Sequence, residues 1–150
     1  MEIETTRFGR LEVSDELILR FPRGLYGMEH LRRFCMLRHD ENGLFFWLQS
    51  VDDPAIAMVL TDPFRFFTGY EVEIPDPAVG LLEASDAGDV VIYTTVSFTR
   101  EPTGTFTNLL GPVVVNHDSR VGVQVILDDK MYTTRHPLTE ARMGALAVAA

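Results

Sequence analysis

The stretch LFFWLQSVDDPAIAMVL, residues 44–60, joins two apolar runs through an Asp-Asp-Pro corner. LFFWLQS (44–50) is apolar on both faces of an extended chain, as a strand buried on both sides is. AIAMVL (55–60) reads the same way. Between them VDDP turns, because Asp side chains accept hydrogen bonds from nearby backbone N–H groups and Pro54 presets φ. Residues 45–60 therefore read as a central hairpin. Asp52 and Asp53 are explained as turn formers before they are explained as catalysts.

Working outward, strand signals dominate. IETTRFGRLEV (3–13) reads as a hairpin with Gly9 in the turn and Leu11 and Val13 on one face. LILRF (17–21) alternates, with Leu17, Leu19 and Phe21 on one side, and Pro22, Gly24 and Gly27 mark the loop that follows. RFCMLRH (33–39) is the next strand, closed by the turn DENG (40–43). YEVEIPD (70–76) reads as a strand with Tyr70, Val72 and Ile74 inward and Glu71 and Glu73 outward. DPAVGLLEAS (76–85) reads as a short helix with Asp76 as N-cap and Pro77 at the first helical position. DVVIYTTVSF (89–98) is a long β-branched strand, and 111–127 reads as two strands around an Asn-His-Asp-Ser turn. The expected fold is mainly β: a small single-domain antiparallel β-barrel-like fold over residues 1–138, with one short helix. The Ala-rich segment 139–150 is a tail, helical or disordered.

At 150 residues the chain suits one domain with a real hydrophobic core. Its length of apolar sequence never approaches the roughly 20 residues that cross a bilayer, so no membrane partner is expected. The acidic, polar start MEIETTRFGR is unlike a signal peptide, and the single cysteine, Cys35, suits a reducing cytoplasm and a place in the core.

The net charge of −9 is unevenly placed. Residues 1–39 carry seven Arg against six acids, residues 90–150 carry five of each sign, and residues 40–89 carry eleven acids against Arg65 alone. Such a field repels phosphate backbones, so direct nucleic-acid binding is not expected, and it favours a basic protein partner. The other reading is a solvated face that only aids solubility.

Chemistry-bearing motifs are absent: no phosphate-binding glycine loop, no nucleophile elbow, and no zinc-type spacing among His30, His39, His117 and His136. No cofactor or metal is expected. Asp52 and Asp53 are adjacent, so they point to opposite faces in a strand and to solvent in a turn, which gives neither a reason for a shifted pKa. Asp128 and Asp129 meet the same objection. The alternative is a β-barrel enzyme or carbohydrate-binding module using Asp52, Asp53 and Trp47, and it requires converging carboxylates beside an exposed Trp47. The sharper feature is PFRFFTGY (63–70), where Phe64 and Phe66 would share one side of an extended segment and Phe67 the other. Rings left half exposed beside acids make a groove for an amphipathic helix, although plain core is the competing reading and is expected for at least two of Phe64, Phe66, Phe67 and Tyr70. The candidate partner-binding residues are Asp52, Asp53, Phe66, Phe67, Tyr70, Glu71 and Glu73.

TTRFGRLEV, FPRGLYGME, FFWLQSVDDPAIAMVLTDPFRFF, TNLLGPVVVN and LDDKMYTTRHPL, taken in order, resemble the FliW family of bacterial flagellar assembly factors. The resemblance runs from about residue 3 to 138. It implies a non-enzymatic β-barrel-like protein that binds flagellin in the cytoplasm in the manner of a chaperone. It further implies that the protein, once flagellin is exported, binds CsrA, a small basic RNA-binding regulator. Translation of flagellin mRNA is thereby released, coupling synthesis to export.

Overall fold

The computed structural model describes residues 1–39, 41–100 and 103–138, so the tail 139–150 lies outside the described residues. The strands are β1 (Glu2–Thr5), β2 (Gly9–Glu12), β3 (Ile18–Arg20), β4 (Arg33–Arg38), β5 (Phe45–Ser50), β6 (Ala57–Thr61), β7 (Val91–Arg100), β8 (Thr103–Thr107), β9 (Val113–Asn116), β10 (Val121–Gln124) and β11 (His136–Pro137). Among the described residues there is one α-helix, α1 (Asp76–Leu82), between β6 and β7.

The central hairpin is β5–β6, in register from Phe45↔Thr61 to Gln49↔Ala57. From it the ladder runs β7-β6-β5-β4-β3-β10-β9, and β9 pairs back onto β7 at Val91–Tyr93, so seven strands close a barrel. Its pairings are antiparallel except where β10 meets β3 in parallel at Val121↔Arg20, a departure from the all-antiparallel expectation. β7 outlasts the barrel, and its end from Val96 to Arg100 pairs with β8, which in turn carries β11.

Strand alternation sorts the side chains. Leu19, Phe21, Phe34, Met36, Leu48, Leu60, Tyr93, Val113 and Val115 form the cluster that fills the barrel. The neighbours on opposite parity form outer patches, each covered by a separate piece of chain. The β1–β2 hairpin lays Ile3 and Val13 over Cys35, whose thiol burial pushes up to about 11, which leaves it protonated and inert. Phe66 and Leu138 pack on Val59 and Val96. Tyr70, Ala78 and Leu82 cover Val114, Val121 and Val123, which is why all four residues of β9 are buried.

The WLQS-V-DDP motif has a physical reason. The Gln49 side chain, wholly buried, donates Nε2 to the carbonyls of Ser50, Pro54 and Ile56 at 3.0, 3.2 and 3.1 Å. Ser50 Oγ accepts from the N–H groups of Asp52 and Asp53 at 3.1 and 2.9 Å. The corner is thus held from inside, and β6 starts at Ala57 rather than at 55.

Several expectations need correction. Residues 70–75 keep the inward-outward alternation but form no strand, because the barrel edge they cross is already closed by β7–β9 pairing. They form a strap instead. Asp76 is the first residue of α1, not its cap; Pro75 holds the cap position and no side chain bonds there. Leu17 is 41% exposed and lies in a 3-10 turn, so only Leu19 and Phe21 of that trio point inward. Residues Pro63–Arg65 form a 3-10 turn capped by Asp62, not an extended segment. β8 was not legible as a strand: TGTFT lacks apolar alternation.

Candidate functional site

Asp52 and Asp53 stand at the β5–β6 corner beside the N-terminal hairpin, where Thr6 N–H donates to Pro54 O at 2.9 Å. Asp53 is a turn former: its Oδ1 accepts from Ala55 N–H at 3.0 Å. Asp52 does more. Its Oδ2 accepts from the backbone N–H groups of Arg32 and Arg33 at 3.1 and 3.0 Å, and its Oδ1 accepts from Arg33 Nε and Nη2 at 3.1 and 2.9 Å. Burial alone would raise the Asp52 pKa, but these donors together hold it below the usual carboxylate range. A depressed folded pKa means that Asp52 stabilises the protein above the unfolded value of about 3.9, and that the contribution is lost as pH falls through the folded value. Asp52→Asn should lower stability by roughly 1–3 kcal/mol at neutral pH and flatten the acid limb of a stability-versus-pH curve measured by denaturant titration. An unchanged acid limb would show that the Arg33 pair contributes nothing.

Trp47 is half-buried rather than sealed. The Arg7 guanidinium lies 4.5 Å from its ring centroid, Phe8 meets it edge-on at 5.6 Å, and its indole N–H donates to His39 Nδ1 at 2.9 Å. With Asp52 engaged by Arg33 and Asp53 by its own turn, the carboxylates required beside Trp47 do not converge there.

The aromatic candidates divide. Phe66 and Tyr70 are 6% and 5% exposed, so the expected half-exposed strip does not include them. Phe66 belongs to the patch with Val59 and Val96, and Tyr70 to the patch over β9 and β10, where its hydroxyl donates to Leu109 O at 2.6 Å. Burial raises the Tyr70 pKa, with the neighbouring Tyr132 adding to it, so it stays a neutral donor. The 3-10 turn rotates successive side chains by about a third of a circle, which sends Phe64 outward, 42% exposed, and Phe66 inward. Phe67 is half-buried, edge-on to His136 at 5.9 Å between centroids.

Glu71 and Glu73 are exposed on the strap, as their parity requires. Of the other acids of residues 40–89, Asp86 alone shares a cleft lining with either of them, on the far side of Glu73. Both glutamates meet Asp128 and Asp129: the four carboxylate residues, with Pro75, Ile126 and Leu127, line a cleft of about 340 Å³. Ile126 is 48% exposed, so an apolar side chain stands among the acids. Tyr132 ties the two walls together, its hydroxyl accepting from Glu71 N–H at 3.1 Å and its ring edge-on to Tyr70 at 4.9 Å. Next to this cleft a second one, about 330 Å³, is lined by Phe66, Phe67, Tyr70, Met131, Tyr132 and His136 among others. Met131 stands 77% exposed at its rim. His136 Nε2 accepts from Thr133 N–H at 2.8 Å, which needs an unprotonated Nε2, and partial burial lowers its pKa in keeping with that. Among the described residues no group of three or more His, Cys, Asp or Glu is placed to hold a metal ion.

Sequence reasoning missed Asp128 and Asp129 as members of this surface. Their charge is cancelled by nearby basic residues when counted along the chain, and only the fold brings them to Glu71 and Glu73. The available signal was the matching pair of acids in LDDKMY with an apolar Ile126 just before them.

The chain matches the family model described as FliW protein over residues 2–138. A flagellar assembly factor FliW of Moorella thermoacetica is 40% identical over 142 residues, covering 92% of this chain and 88% of that protein. One from Magnetococcus marinus is 41% identical over 139 residues, covering 92% and 85%. A crystal structure of the flagellar assembly factor FliW superposes with a TM-score of 0.81 at 33% identity, covering 91% of this chain and 96% of that one.

Proposed function

This chain belongs to the FliW family of flagellar assembly factors, and we propose that it acts there by binding flagellin in the cytoplasm and, once that partner is exported, by binding and antagonising CsrA. In this reading it is a chaperone for flagellin and a regulator of flagellin translation, working by protein–protein contact and not by chemistry. The observation that carries it is the cleft where Glu71, Glu73, Asp128 and Asp129 surround Ile126. A basic regulator is drawn to such a surface electrostatically, and the apolar side chain adds burial once it docks. The neighbouring apolar cleft, with Phe67 in its wall and Met131 at its rim, is the place for an anchor from an amphipathic flagellin helix. Phe66 and Tyr70 serve from behind, holding the surface in shape, while exposed Asp52 and half-buried Asp53 hold the barrel corner.

No described helix is long and apolar enough to cross a membrane. The test is capture of purified flagellin and purified CsrA separately at micromolar concentration, followed by competition between them. Both should be retained, each should displace the other, and raising salt should weaken CsrA binding more than flagellin binding. Retention of neither partner removes the reading, and equal salt sensitivity removes the assignment of the acidic cleft to CsrA.

A further inference from the structure

The strap has two sides. Glu73 lines the acidic cleft on one side and a separate, mostly apolar cleft on the other. This last cleft, about 360 Å³, lies between the strap, α1 and residues 84–90, and its wall includes Val72, Ile74, Val79, Leu82, Ala84 and Val90. Its size falls within the range of about 300–1,000 Å³ common for binding pockets. The walls are built in advance. Asn116 Nδ2 and Ser119 Oγ both donate to Leu82 O at 2.9 Å, fixing the end of α1 against the barrel. Asp89 Oδ2 accepts from the N–H groups of Ser85 and Asp86 at 2.7 and 3.0 Å, closing the facing loop.

The lining of this cleft carries two acids, Glu73 and Asp86, and no Lys, Arg or His. Exposed Glu83 stands in the chain between the lining residues Leu82 and Ala84. Asp89 and Asp86 are partly occupied by loop N–H groups, but the Glu73 and Glu83 carboxylates make no ion pair or hydrogen bond with any described residue. Arg120, on the turn before β10, points its guanidinium at Asp15 O at 3.1 Å. An apolar floor whose charged lining residues, Glu73 and Asp86, are both acids is complementary to one kind of ligand.

We propose that the cleft between the strap and α1 is a docking site for an amphipathic helix of a protein partner, one that presents small aliphatic anchors flanked by Lys or Arg. The aliphatic side chains enter between Val72, Ile74 and Val90, and the basic flanks meet Glu73 and Glu83. This does not depend on the identity of either partner proposed above, because the recognition is set by the helix pattern.

The experiment uses two synthetic helical peptides with the same Leu/Val stripe, one flanked by lysines and the other by glutamates. They are titrated into the full chain while methyl resonances of Val72, Ile74, Val79 and Val90 are followed by NMR. The lysine peptide should saturate with a Kd of about 100 µM or tighter and shift these methyls first. The glutamate peptide should bind at least about tenfold more weakly. Ala87→Trp, which fills the mouth, and the double variant Glu73→Lys with Glu83→Lys should each weaken the lysine peptide at least about tenfold, while Glu4→Lys, on the β1–β2 hairpin, leaves it within about twofold. If Ala87→Trp fails to fold, the exposed double variant decides alone. Absence of saturable shifts, equal binding of the two peptides, or shifts confined to methyls elsewhere overturns the proposal. Capture of CsrA and flagellin is measured on separate samples, so failure there bears only on the family-level reading.

Discussion

Reversal of Glu71, Glu73, Asp128 and Asp129 to lysine is expected to weaken CsrA binding by about 100-fold or more, equivalent to about 2.7 kcal/mol. The four residues line one cleft, so a basic partner that faced four negative charges would face four positive ones. Repulsion across an interface acts on encounter as well as on the complex, so the loss should appear in the association rate and shrink as salt rises. Glu71 and Glu73 are exposed and have no side-chain partner among the described residues. Asp129 Oδ1 accepts from Met131 N–H at 2.8 Å, so thermal stability should fall only by that one exposed turn bond, and flagellin capture should persist if the apolar cleft with Phe67 and Met131 carries it. Calorimetric titration of wild type and the quadruple variant checks this, and a loss below about threefold would remove the acidic cleft from the account.

The second large effect is on the barrel itself. Gly122 in β10 pairs with Val115 of β9, and that parity aims its missing side chain into the barrel. A Cβ placed there would overlap the ring of Phe21, which is fully buried and edge-on to Phe34 at 5.3 Å. Neither ring has room to retreat, because interiors pack at crystal-like density. Gly122→Ala should cost about 1–3 kcal/mol and Gly122→Val more, lowering Tm by several degrees for each kcal/mol. Gly80 supplies the contrast. It lies inside α1, a Cβ there meets nothing within 4 Å, and Gly80→Ala should raise stability by roughly 0.5–1 kcal/mol. Thermal melts of the two variants check the pair, and a harmless Gly122→Val would contradict the closed barrel.

The barrel was legible because its strands carry their own signals. β5 and β6 read as paired strands since both are apolar and separated by residues that can only turn; β9 and β10 read likewise around Asn116. Ring closure was not legible, because the parallel contact of β10 with β3 and the return of β9 to β7 join residues about a hundred and about twenty positions apart by backbone hydrogen bonds that any sequence can make. The strap shows a different limit. Tyr70, Val72 and Ile74 point inward as period-two alternation demands, yet alternation reports burial and not strand pairing, and this segment had no free edge to join. Phe66 and Tyr70 are core, as at least two of the four rings were expected to be, and Tyr70 takes the inward place its alternation gave it. A 3-10 turn set by Asp62 and Pro63, not their own character, decides which ring faces water. Glu71 and Glu73 were placed outward correctly, but their companions came from a part of the chain whose local charge sums to nothing.

We place the partner surface on the strap and on residues 126–132. Hydrogen–deuterium exchange of the full chain with and without CsrA probes that placement. Exchange should slow at residues 71–75 and 126–132, including the Glu71 N–H that donates to Tyr132, with the β1–β2 hairpin and the β7–β8 end unchanged. Protection at the hairpin or at the β7–β8 end, with 71–75 and 126–132 exchanging as in the free protein, would contradict it.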